Sequence, residues 1–100
     1  MPVPRWRLGK DARRDLRGIA RYTRRTWGPE QADRYRVTFE AAFDRLVAYP
    51  DTGRDWGDLR PGVRVLPVER HLVVFRAEIE GIIFLRVIHQ MMDLVGINVS

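Results

Sequence analysis

The chain contains no cysteine, which excludes a disulfide-stapled scaffold, a thiolate zinc site and cysteine catalysis. It also has no run of about 18 apolar residues, so a membrane-spanning helix is excluded. The opening residues 1–6 lack the apolar stretch of a signal peptide. We therefore expect one cytoplasmic domain over residues 1–100 with no membrane contact, since domains commonly run about 100–150 residues.

Lysine is nearly absent as well, because Lys10 stands beside 17 arginines in a chain of net charge +5. The positive excess lies at the start, where residues 1–27 carry nine basic and two acidic side chains. The rest of the chain carries nine arginines and eleven acids. A one-sided patch of this kind suits nucleic acid or an acidic protein segment. GC-rich codon usage would enrich arginine equally well, so composition does not choose between these explanations.

Hydrophobic periodicity divides the chain into strands and helices. Alternation indicates strands, spacing near 3.6 residues indicates helices, and a segment rich in Gly, Pro and Asp indicates a loop. The predicted elements are a strand at 3–8, helices at 10–27 and 29–48, a loop at 50–63, and strands at 63–68, 71–77 and 82–89. The tail at 90–95 reads as a short helix or as an extension of the last strand. Trp56 and Leu59 are expected to hold the loop against the core.

This order predicts an α+β two-layer fold, with an N-terminal strand, an antiparallel helical hairpin and a three-stranded antiparallel meander that completes the sheet. Strict alternation in the last strand places Ile83, Leu85 and Val87 on one face. The other face then carries Ile82, Phe84, Arg86 and Ile88. The helices cover only one face of the sheet. The other face is expected to be exposed and to take a partner.

The first helix has an apolar stripe and a cationic flank. The stripe comprises Ala12, Leu16, Ile19, Ala20, Thr23 and Trp27. The flank gathers Lys10, Arg13, Arg14, Arg17, Arg21, Arg24 and Arg25, without an acid among them. This flank is either a solvated arginine face or a docking surface for an acidic partner. Gly18 is expected to let the neighbouring helix approach closely.

Short matches to one bacterial family recur in order over residues 5–94. They are Ala12, Asp15-Leu16, Trp27-Gly28, Glu30-Gln31-Ala32, Tyr35, Pro50, Gly53, Leu59-Arg60-Pro61-Gly62, Arg70-His71, Val74-Phe75-Arg76 and Leu85-Arg86-Val87-Ile88-His89. In this order and spacing the sequence resembles the ParE branch of the RelE/ParE toxin superfamily of bacterial type II toxin–antitoxin systems. The resemblance implies a toxin that inhibits DNA gyrase and is neutralised by a ParD-like antitoxin, whose disordered tail folds onto the toxin.

The resemblance and the charge pattern together suggest two sets of site residues. The antitoxin is expected to contact Arg13, Arg17, Arg21 and Arg24. The target is expected to contact Arg86, His89 and Met91. Relatives often show an arginine at the position of Met91, in a stretch like His-Gln-Arg-Met-Asp, so the apolar Met91 puts the potency of this copy in question.

Two other functions stay open from the residues. The RelE branch cuts messenger RNA on the ribosome, and Glu69, Arg70, Arg76 and His89 are the candidates for that chemistry. These are common residues without fixed spacing, and the sheet has no tyrosine, so we favour a toxin that is not an enzyme. The third option is a nucleic-acid-binding module that uses the arginines of the first helix, although sequence-specific binding is not expected. We expect no cofactor and no metal, since two histidines and no cysteine are too few.

Overall fold

The computed structural model describes residues 5–56 and 60–91, which form two helices and a five-stranded sheet. The elements are β1 (Arg5–Leu8), α1 (Lys10–Trp27), α2 (Pro29–Ala48), a 3-10 turn (Pro50–Thr52), β2 (Arg54–Asp55), β3 (Val63–Val68), β4 (His71–Glu78) and β5 (Gly81–His89). The strand order is β1-β5-β4-β3-β2, with β1 parallel to β5 and every other pair antiparallel. The predicted α+β class is confirmed. Neither helix is long and apolar enough to cross a membrane.

Both helices have the predicted bounds, and Gly28 alone joins them. Its φ of 98° lies in a region that side chains rarely adopt, so glycine suits this position. The Gly28 N–H donates to the carbonyl of Arg24 at 2.9 Å, and the Gly28 carbonyl accepts from Ala32 at 3.2 Å. Pro29 begins α2, where its missing N–H costs no helical hydrogen bond.

The main core lies between the helices and one face of the sheet. Phe43 of α2 stacks on Phe84 of β5, with ring centroids 4.0 Å apart. The indole of Trp6 in β1 meets Phe43 edge-on at 5.1 Å and donates its N–H to Asp44 at 2.8 Å. Each aromatic pair adds about 0.5–1.5 kcal/mol beyond the area that it buries. The helical layer is thereby fixed on the centre of the sheet.

A β-bulge in β5 changes the predicted facing of its side chains. Val74 of β4 pairs with Arg86 while Phe75 pairs with Phe84, so Leu85 is an extra residue. Val87 therefore joins the helix-side core, and its predicted placement with Ile83 and Leu85 is wrong. Strict alternation cannot reveal such an insertion, because the bulge moves every later side chain to the opposite face.

The second face of the sheet carries a smaller cluster. Its members are Val63, Val65, Val74, Ile83 and Leu85, each at most 7% exposed, with Trp56 and Leu72 packed against them. The expectation of an exposed apolar face is therefore wrong for these residues. The part of the chain that the structure describes has no helix on this side.

The predicted loop at 50–63 contains a strand that the sequence did not indicate. Arg54 and Asp55 of β2 pair with Val65 and Arg64, and the Trp56 N–H donates to the carbonyl of Val63 at 2.9 Å. Two charged residues show no alternation, so this strand depends on its partner rather than on its own pattern. Trp56 packs on the sheet as expected. Leu59 lies outside the described residues, as do residues 3–4 of the predicted first strand and 92–95 of the tail.

Candidate functional site

A groove of about 590 Å³ runs between α1 and α2. Its apolar lining includes Leu16 and Ile19 of α1 and Phe39 and Phe43 of α2. Leu16 and Ile19 are only partly buried, so apolar surface remains accessible between the helices. We call this depression the groove.

The two rims of the groove differ in charge. Arg13, Arg17 and Arg24 form the α1 rim, and none has a carboxylate within 4.0 Å among the described residues. On the α2 rim, Arg36 is neutralised by Asp33 at 2.7 Å and by Glu40 at 3.0 Å. The groove is therefore cationic along α1, whereas Asp33, Arg36 and Glu40 leave the α2 rim with one net negative charge.

Three of the four predicted antitoxin contacts lie together on this rim. Arg21 is the exception, since it is exposed on α1 but does not line the groove. Arg21 lies about 40° further round α1 than Arg17, and the position of α2 leaves it outside the groove. Only part of the cationic flank that the helical wheel predicted therefore lines the groove.

A larger depression of about 1220 Å³ lies on the other side of α1. Its walls come from α1, the start of α2, the β3–β4 turn and the end of β5. We call it the cleft, and its lining includes Arg14, Asp15, Tyr22, Trp27, Arg34, Tyr35, Glu69, Arg70, His71, Arg86 and His89.

Asp15 and Arg86 form an ion pair in the wall of the cleft. Arg86 Nε donates to Asp15 Oδ2 at 2.8 Å, and the same oxygen accepts the backbone N–H of Val87 at 2.9 Å. Both side chains are nearly buried, at 12% and 11% exposed. The hydrogen bond to Asp15 raises the pKa of Arg86 further above its usual value. This pair fastens α1 to β5, and the expected target contact by Arg86 stays a prediction.

His71 and His89 face each other across β4 and β5, with ring centroids 5.5 Å apart. Burial lowers the pKa of His71, and the neighbouring His89 lowers it further. His71 Nδ1 is buried without a hydrogen-bond partner among the described residues. The Met91 N–H donates to Nδ1 of His89 at 3.2 Å, which leaves Nε2 of a neutral His89 as its proton donor.

The cleft collects three of the four candidate nuclease residues. Glu69, Arg70 and His89 line it, whereas Arg76 does not, because it pairs with Val63 and Ile83 near the other end of β4. Glu69 has a φ of 54° in the tight β3–β4 turn. Across residues 5–56 and 60–91, no group of three or more His, Asp or Glu side chains is placed to hold a metal.

Several cleft residues escaped sequence reasoning. Trp27 was expected in the buried stripe, yet 70% of it is exposed. The last buried residue of α1 is Thr23, one turn earlier. Tyr22 is 65% exposed and also lines the cleft. An aromatic residue on the polar flank of an amphipathic helix was the available signal for Tyr22. Arg14 and Arg34 gave no distinct signal among so many arginines.

Comparison with known proteins gives consistent matches over most of the chain. A family model described as "ParE toxin of type II toxin-antitoxin system, parDE" matches residues 7–94. The chain is 38% identical to Toxin ParE of Escherichia coli over 88 residues, which are 87% of this chain and 85% of that protein. It is 38% identical to Toxin ParE1 of Mycobacterium tuberculosis over 90 residues, covering 89% and 92% of the two chains.

A solved structure described as "Chromosomal ParDE TA system from P. aeruginosa" has the same fold. Its TM-score is 0.71 at 24% sequence identity, and the match covers 89% of this chain and 96% of that one. The resemblance that the motifs indicated is therefore confirmed. The chain belongs to the ParE toxin family of type II toxin–antitoxin systems.

Proposed function

We propose that this protein inhibits DNA gyrase without being an enzyme itself, and that a ParD-like antitoxin neutralises it by occupying the groove. Family membership over residues 7–94 supports the gyrase target, since the ParE resemblance implies it. The solved ParDE system supports an antitoxin partner for this fold. The proposal includes a cytoplasmic location for the protein.

The charge of the groove is the observation that carries the antitoxin proposal. An apolar floor between two helices suits an amphipathic segment. The unneutralised Arg13, Arg17 and Arg24 would face acidic residues of that segment, while the net negative charge of the α2 rim would turn those residues toward α1. A disordered acidic tail would order on binding and bury its apolar side chains in the groove.

Of the three residues expected to contact the target, His89 and Met91 are exposed, whereas the Arg86 side chain is 12% exposed. His89 is exposed at the end of β5, and 82% of Met91 is exposed next to it. Gyrase is proposed to meet this end of the molecule, beside the cleft. Arg86 would act there indirectly, through its ion pair with Asp15.

A supercoiling assay tests the proposal. Purified protein is titrated into gyrase and relaxed plasmid, with and without a ParD-like antitoxin. We expect loss of supercoiling and accumulation of cleaved DNA, both reversed by the antitoxin. Normal supercoiling with folded toxin in excess would contradict the gyrase target.

Met91 offers a gain-of-function prediction in the same assay. Met91→Arg restores the cation that relatives often carry, so inhibition is expected at a lower toxin concentration. Met91→Gln is the matched control, because it is polar, of similar length and uncharged. Equal potency of all three proteins would exclude a charge contribution at this position.

A ribosome-dependent nuclease is the second candidate, because Glu69, Arg70 and His89 share the cleft. It predicts cleaved mRNA in a translation reaction, and loss of that cleavage in folded His89→Ala. Inhibited supercoiling with intact mRNA would eliminate this candidate.

A further inference from the structure

The cleft has a chemistry that neither the antitoxin nor the core accounts for. Small-molecule pockets commonly enclose about 300–1,000 Å³. The cleft encloses about 1220 Å³ and is open to solvent, so it has room for more than one residue of a polymeric ligand.

The cleft holds positive charge that is not neutralised. Asp15 binds Arg86 at 2.8 Å and lies 3.8 Å from Arg14, so its charge is shared between them. Arg34 and Arg70 have no carboxylate within 4.0 Å in the described part of the chain. Nε and Nη2 of Arg34 donate to the uncharged amide oxygen of Gln31, which a phosphate would displace without losing an ion pair. A guanidinium offers a fork of N–H donors that matches a phosphate group.

The cleft also holds aromatic surface that does not pack inside the protein. Trp27 and Tyr22 are 70% and 65% exposed, and both line the cleft. Exposed aromatic rings beside arginines are the usual platform for unpaired bases, whose flat faces stack without regard to sequence.

His71 and His89 line the cleft at the end formed by β4 and β5. His71 Nδ1 is buried and has no partner among the described residues, and its burial closes it to a ligand. His89 is exposed, and its Nδ1 already accepts the Met91 N–H, so Nε2 is the ring nitrogen of His89 that is left for a ligand.

We propose that the cleft binds single-stranded DNA, with phosphates on Arg34 and Arg70 and bases stacked on Trp27 and Tyr22. A duplex would hide the base faces, and an acidic peptide would leave the aromatic platform unused. The choice of DNA over RNA rests on the proposed function, because gyrase acts on DNA. The toxin would then hold a DNA strand exposed within the gyrase complex.

Fluorescence anisotropy with a labelled oligothymidylate and no gyrase tests the proposal directly. We expect binding at low salt that weakens with salt by about 0.7 in log–log slope for each phosphate contacted. Arg34→Gln with Arg70→Gln should weaken binding at least about tenfold and reduce that slope by about 1.4. Trp27→Ala should weaken binding about tenfold and leave the slope unchanged, since stacking releases no counterions.

Arg13→Gln with Arg17→Gln is the matched control. It removes the same number of positive charges, but these come from the α1 rim of the groove and not from the cleft. Affinity within about twofold of the wild type is expected, because these arginines contact no phosphate in the cleft. An equal loss in both double variants would overturn the proposal and assign binding to the general charge of the protein.

The remaining outcomes separate this proposal from the gyrase target. No binding at low salt, or binding to an RNA of equal length but not to DNA, would overturn the DNA assignment. Inhibition of gyrase without DNA binding would overturn the cleft proposal alone. DNA binding through the cleft without gyrase inhibition would support the cleft and overturn the gyrase target.

Discussion

Asp15 is a nearly buried carboxylate that connects a helix to the sheet. One of its oxygens accepts both the Arg86 guanidinium and the backbone N–H of Val87, so it joins α1 to β5. Asp15→Asn removes the carboxylate charge that pairs with the nearly buried Arg86, and this should lower the free energy of unfolding by about 2–4 kcal/mol. Urea denaturation followed by circular dichroism measures the change.

Asp33→Asn is the matched control for that substitution. Asp33 also pairs with an arginine, at 2.7 Å from Arg36, but the Asp33 side chain is 66% exposed. Exposed pairs contribute about 0–1 kcal/mol, so this variant should lose much less stability. Equal losses in the two variants would refute the fastening role of Asp15.

His71 should make the fold sensitive to mild acid. Burial and His89 lower its pKa below the ordinary 6.5, so the unfolded chain takes up a proton more readily than the folded one. Stability is therefore full above pH 6.5 and falls as pH drops through the pKa of the folded state. Thermal melts should show a smaller loss between pH 7.5 and 5.5 for His71→Phe than for the wild type. Parallel losses in the two proteins would rule out this origin.

At the scale of an element, α1 contains a glycine with no structural need. A Cβ at Gly18 would meet nothing within 4 Å, so the expected close approach of a neighbouring helix is wrong. Gly18→Ala should stabilise the protein by about 1 kcal/mol, the difference between the two residues inside a helix. Denaturant midpoints at unchanged slope measure this gain. A loss of stability would mean that α1 needs flexibility at this turn.

In the same denaturation experiment, we expect Gly81→Ala to destabilise the protein. It has a φ of 151°, and a Cβ there would lie 1.7 Å from the carbonyl oxygen of Arg5, its partner in β1. Gly81→Ala must therefore separate β1 from β5. The contrast isolates what each glycine does, since both substitutions add the same methyl group.

The elements differ in how far the sequence predicts them. α1 and α2 were bounded correctly because their periodicity is long and Gly28-Pro29 separates them. The bulge at Leu85 and the two-residue β2 were missed, since each depends on the register of a neighbouring strand. Local pattern reports which side a residue faces only while the register stays regular.

The site shows the same division. The wheel of α1 placed Arg13, Arg17 and Arg24 correctly on one flank, and the groove confirms their shared position. It could not show that Arg21 points elsewhere, because the position of α2 decides which part of the flank becomes a rim. The cleft was less accessible still, since its residues come from four separate segments of the chain.

Across the whole molecule, α1 separates two surfaces of different character. The groove on one side is mainly apolar with a cationic rim, and the cleft on the other combines arginines with exposed aromatic rings. The two surfaces meet at Ile19 and Tyr35, which line both, so a partner in the groove would contact α1 and reach only the edge of the cleft. The antitoxin would then neutralise the toxin by blocking the approach of the target or by moving α1, and not by filling the cleft.

If the antitoxin lies in the groove, its affinity depends on which arginines of α1 are changed and not only on the net charge of the protein. Arg13→Glu with Arg17→Glu reverses two charges on the rim, and Arg21→Glu with Arg25→Glu reverses two at the same spacing off the rim. Both variants have the same net charge, so long-range attraction to an acidic partner falls equally. The rim variant should bind the antitoxin about 10- to 100-fold more weakly by calorimetry, because it also loses direct ion pairs. If the two variants lose the same affinity, the antitoxin senses only the overall field of α1 and does not lie in the groove.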